Sequence, residues 1–148
     1  MIVLTEASRI AVTYYFEFRG GVVDDNGQVI EIPPGNVMVT VHAPSASAPF
    51  ILQGRTRFYA DGEVFEKTND YSEWFTGETW PAGTRISEIV PATRAKLEAL
   101  HAHLPGAEAL QEYVIDGGLA DMVALSSQLP WMNTRVVGTK PTRPEDLN

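Results

Sequence analysis

The 148-residue sequence contains no cysteine, which excludes disulfides, thiolate metal sites, iron–sulfur ligation and a cysteine nucleophile together. No apolar run approaches the ~20 residues needed to cross a bilayer. In the opening MIVLTEASRIAV, Glu6 and Arg9 interrupt any secretory-type apolar core, so a cytoplasmic protein with no membrane partner is expected. Basic residues are scarce: 11 Lys+Arg face 19 Asp+Glu, a net charge of −8, and the span Asp61 to Glu78 holds six acids against Lys67 alone. A field of that sign repels phosphate backbones, so no direct nucleic-acid binding is expected.

Several chemical motifs are missing too. There is no G-x-S-x-G nucleophile turn, and neither glycine-containing stretch beside an arginine, FRGGVV or GRTRF, opens a helix that could cradle phosphate. The chain has three histidines. His101 and His103 lie roughly 200° apart on a helix at ~100° per residue, so they cannot share one ion. DDNGQ resembles a calcium loop only at its start, since its glycine comes too early and no glutamate closes it. No metal and no cofactor are expected.

What is present is an ordinary globular composition, 44% hydrophobic and 20% charged, over a length that suits one domain spanning residues 1–148. IAVTYYFEF alternates as a strand with Ile10, Val12, Tyr14, Phe16 and Phe18 on one face. Asn26-Gly27 and Asp61-Gly62 each sit between apolar runs and supply the positive φ angles of two-residue hairpin turns. NVMVTVHA places Val37, Val39 and Val41 opposite Met38, Thr40 and His42, and the small-residue stretch APSASAPF follows as a long connection or lid. Six or seven strands over residues 2–86 predict an antiparallel β-sandwich or small barrel. Beyond it, the spacing predicts a helical layer over residues 87–130: PATRAKLEALHAHL opening at Pro91, then AEALQEYVID, then LADMVALSSQ. The class is therefore α+β, three short helices on a β layer, with residues 138–148 as a tail.

Three groups of residues are candidates for function. Arg55 and Arg57 alternate on one strand, and with Arg19, Arg85 and Tyr59 they would grip an anionic ligand if they converged. The aromatic, acidic stretch DYSEWFTGETW offers Tyr71, Glu73, Trp74, Glu78 and Trp80 as a partner-binding surface, with Tyr71, Trp74 and Phe75 on one helical face and Trp80 at an accessible edge. His42, at a strand end beside the small-residue loop, is the candidate general acid or base. The expectation is a non-enzymatic, homo-oligomeric binding protein, a small acidic accessory or inhibitor of bacterial or phage origin that engages a protein partner. A pocket sequestering a small anion such as a cyclic nucleotide, an enzyme acting through His42, and a structural subunit of a larger phage assembly are the alternatives.

Overall fold

A computed structural model describes residues 3–23, 30–60, 63–68, 78–104 and 106–128. The chain is α+β. Its strands are β1 (Arg9–Phe18), β2 (Gly21–Val23), β3 (Ile30–Ile32), β4 (Gly35–Ala43), β5 (Phe50–Ala60), β6 (Glu63–Thr68), β7 (Thr79–Trp80) and β8 (Gln111–Gly117), and its helices are α1 (Ile86–His103) and α2 (Leu119–Gln128). The main sheet is antiparallel in the order β6-β5-β4-β1-β8, with β7 on β5. Both hairpin expectations hold at the flanks: β2 pairs with β3 around Asn26-Gly27, and Ala60 pairs with Glu63 across Asp61-Gly62. The two turns themselves lie outside the described residues, as do Tyr71, Glu73, Trp74, Phe75 and the tail.

Among the described residues the sheet stays open, with β6 and β8 at its two edges, and helices cover it where a closed barrel or sandwich was expected. The central strands are buried on both faces, which is why β4 is inaccessible along its whole length. On one face, Val12, Tyr14, Phe16 and Phe18 of β1 meet Val37, Val39 and Val41 of β4, under Ile89, Val90, Leu97 and Leu100 of α1. On the other, Ile10, Tyr15 and Met38 meet Met122 of α2, with Tyr113, Ile115, Leu119 and Leu125 packed against them.

Ile10 thus lies opposite the face its spacing predicts. A β-bulge between Ile10 and Val12 shifts the register against both β4 and β8. One extra residue in a period-2 strand moves everything beyond it to the other face.

The segment expected as the middle helix is strand β8. Its burial alternates strictly along Gln111–Gly117, and Tyr113, Val114 and Ile115 are side chains that suit a pleated surface. The helix-forming residues AEAL before it are only the approach. Helix α1 also starts earlier than Pro91, which lies inside it. Ile86, Ile89, Val90, Thr93 and Leu97 continue the helical spacing towards the N-terminus, and burying that row outweighs the one ladder bond a proline removes. Two helices, not three, are found among the described residues, and neither is long and apolar enough to cross a membrane.

Candidate functional site

The two arginines of β5 do share a face, but that face is interior. Arg55 and Arg57 have no exposed surface. They stand in register with Met38 and Asn36 of β4, and those with Tyr15 and Glu17 of β1. The Arg55 guanidinium donates to Asn36 Oδ1 at 2.9 Å, Asn36 donates through Nδ2 to the Tyr59 hydroxyl, and Tyr15 donates to Glu17 Oε1 at 2.9 Å. Both arginines take part in further interactions. Burying such groups is costly unless they are bonded, and the row of polar residues at alternate positions supplies part of that bonding. Burial pushes the Tyr59 hydroxyl up to about 12, helped by the Glu17 carboxylate and opposed by Asn36, Arg57 and Arg55. Tyr15 is raised as well, chiefly by burial and then by Glu17.

Arg19 and Arg85 are elsewhere. Arg19 is 80% exposed and pairs with Glu108 at 3.3 Å. Arg85 precedes α1 at the end of the sheet where β4 finishes and β5 begins. Asn36 and Ala43 are seven residues apart on β4, so at ~3.3 Å per residue the row that holds Arg57 and the end that holds Arg85 are separated by roughly 20 Å.

That second end carries an accessible cleft of about 550 Å³. Its wall is built from the start of β1 (Arg9), the β4–β5 connection (Ser45, Ala46, Ala48), Phe50, the turn before α1 (Gly83, Thr84, Arg85), the first residues of α1 (Ile86, Ser87) and Asp116. The sequence builds this locally. Gly83, at φ +82°, permits the turn in which the Thr84 amide and hydroxyl both donate to the Pro81 carbonyl, at 3.1 and 2.6 Å. Arg85 is then extended at the N-cap and supplies no side-chain cap. Its carbonyl accepts from the amides of Glu88 and Ile89, which leaves the Ile86 and Ser87 amides without an intrahelical acceptor. Positive potential from the helix end adds to the Arg9 and Arg85 guanidiniums. Arg9 is 3.9 Å from Asp116, with both half-exposed or more, while Arg85 makes no ion pair among the described residues.

His42 faces the interior. It is 5% exposed, its Nε2 meets Gln53 Oε1 at 3.1 Å, and its Nδ1 has no hydrogen-bond partner. Burial lowers its pKa, and the Gln53 contact only partly opposes this, so the ring is neutral at pH 7. His101 packs edge-on against Phe16 and bonds to the Glu108 carbonyl. No group of three His, Asp or Glu residues able to hold a metal is found among the described residues.

Of the aromatic stretch, Glu78 and Trp80 are described. The Glu78 carbonyl accepts from the Leu52 amide, and its carboxylate lies 4.0 Å from Lys96. Trp80 pairs with Phe50 through β7 and is half-buried against the core. Sequence reasoning missed Arg9, Thr84, Ser87 and Asp116. The available signal was the helical spacing from Ile86 with Glu88 in the first turn, which places a helix start beside Arg85.

Comparison of the chain with protein-family models, with curated proteins and with solved structures gives no match.

Proposed function

We propose that this chain is a non-enzymatic binding protein whose cleft at the start of α1 receives a small anionic ligand, a phosphate or carboxylate group on a larger molecule. The observation that carries this is the presence of Arg9, Arg85 and the uncapped first turn of an 18-residue helix around one accessible concavity of about 550 Å³. Two guanidinium forks and backbone amides are the donors that anionic oxygens need. The hydroxyls of Ser45, Thr84 and Ser87 add neutral donors to the same wall. The buried arginines of β5 have a different task, holding the sheet's polar interior together.

The test is thermal denaturation with inorganic phosphate, nucleotides and cyclic dinucleotides. A ligand at about a hundred times its Kd adds about 2.7 kcal/mol, which at this chain length raises Tm by roughly 5–10 °C. Arg85→Ala should remove most of that rise, and added salt should weaken it because the groups are exposed. No rise with any of these anions would overturn the proposal. A second reading, recognition of a protein partner, draws on Trp80, which leaves accessible apolar surface beside Phe50 at the cleft rim. Trp80→Ala should then abolish capture of the partner and leave the anion response intact.

A further inference from the structure

The edge strand β8 presents a second recognition surface, which meets the cleft at Asp116 beside Arg9. It pairs with β1 on one side and with no other strand among the described residues. Proteins blunt such edges with lysine, proline, bulges or a covering element, because a free row of amides and carbonyls templates another strand. QEYVIDG contains neither lysine nor proline, and its pairing on residues 111–114 is regular; the bulge opposite Ile10–Val12, with Asp116 at φ +42°, is confined to its last residues.

The side chains specify the occupant further. Glu112, Val114 and Asp116 point to one face, and Val114 there is 55% exposed, the highest value among the exposed large apolar residues that are described. Tyr113 and Ile115 point to the other face. Beside them Leu125 and Asp121 of α2 complete a groove of about 400 Å³ along the strand, with two acids and no base among the described residues of its lining. Arg94 holds Glu112 through two bonds, at 2.6 and 2.9 Å, and Tyr14 donates to the same carboxylate at 2.7 Å. That carboxylate is thus fixed in place with acceptor capacity to spare. Among the described residues, Asp116 has only the 3.9 Å contact to Arg9.

A second copy fits this edge badly. Antiparallel self-pairing centred on Val114 sets Glu112 opposite Asp116 twice, and like charges directly opposed are destabilising. Each copy also carries a net charge of −8. An extended segment with a basic residue on either side of an apolar one has the complementary pattern: cations opposite Glu112 and Asp116, an apolar side chain opposite Val114, and apolar neighbours over Tyr113, Ile115 and Leu125.

We infer that β8 accepts, by strand addition, an extended segment of a partner protein with the pattern basic-x-apolar-x-basic. Main-chain bonds supply the affinity and the alternating side chains the choice of partner.

The experiment uses the full chain and a fluorescently labelled synthetic peptide of about ten residues containing Arg-Val-Val-Ile-Arg, with a control in which glutamate replaces both arginines. Fluorescence polarisation should give a Kd of about 10–100 μM for the arginine peptide and a value at least about tenfold weaker for the control. Amide hydrogen exchange on the unaltered protein should slow on β8 when the arginine peptide is added, and not on β4. Val114→Lys, which sets a charge against the central valine of the peptide, should weaken binding of the arginine peptide at least about tenfold. Equal binding of both peptides, no binding at about 1 mM, or protection away from β8 would overturn the assignment. Self-association that Val114→Lys abolishes would overturn it as well, since the edge would then belong to a second copy.

Discussion

Tyr14→Phe tests how the helical layer is tied to the sheet. The Tyr14 ring is fully buried, and its one hydroxyl proton is shared between Glu112 Oε2 of β8 at 2.7 Å and the Val90 carbonyl of α1 at 3.2 Å. One atom thus joins three elements. A bond to a charged acceptor contributes about 1.5–3 kcal/mol net, and the longer bond to a carbonyl adds less than a typical neutral one. Phenylalanine keeps the ring packing, and Glu112 keeps Arg94, so the expected loss is about 2 kcal/mol. At this chain length that lowers Tm by roughly 4–8 °C. Urea denaturation at pH 7 should show the loss as a lower midpoint with an unchanged slope. A double-mutant cycle with Glu112→Gln should give a coupling of about 1 kcal/mol. The acid dependence follows from Glu112, whose carboxyl is held below its ordinary value of 4.5 mainly by Arg94, with burial opposing and Tyr14 assisting. Stability from a lowered carboxyl is present above the unfolded value and is lost as pH falls through the folded one. The Tyr14→Phe deficit should therefore shrink as pH falls from 4.5 towards and through the lowered folded value. A loss under about 0.5 kcal/mol at pH 7, or a coupling near zero, would refute the reasoning.

Two further outcomes concern the interior. At Gly35, a Cβ would stand 2.0 Å from the Arg57 carbonyl oxygen and 3.0 Å from the Phe18 ring, so Gly35→Ala should cost about 2–4 kcal/mol by forcing β4 from β5; a melting curve unchanged from the parent would contradict that packing. His42 is kept neutral by burial, so the unfolded chain binds its proton first as pH falls. Its contribution is complete above the ordinary value of 6.5 and declines as pH drops through 6.5 towards the lowered folded value. Denaturation midpoints between pH 7.5 and 5.5 should show this decline, and His42→Gln should flatten it.

Much of the sheet was legible because strands with a period of two and two-residue turns are local features. β4, the β5–β6 hairpin and the opposition of Val37, Val39 and Val41 to Met38, Thr40 and His42 follow from residues within a few positions of each other. The errors occurred where a distant contact decides between two local choices. AEALQEYVID has residues suited to either state, and its second half becomes a strand because β1 offers an edge, with Thr13 opposite Tyr113. Pro91 resembles a helix start until the row from Ile86 to Val90 is laid on the sheet.

The candidate site shows the same division. That Arg55 and Arg57 share a face is a consequence of strand geometry alone, whereas the burial of that face depends on layers packed from elsewhere in the chain. The cleft unites Arg9 with Arg85, and the groove beside β8 unites that strand with α2. Composition and local periodicity determined an acidic, cysteine-free α+β chain with identifiable hairpins. Tertiary structure alone decided which arginines are interior and which face a cavity, because burial depends on groups brought together by folding and no short stretch of sequence contains both sides of such a contact.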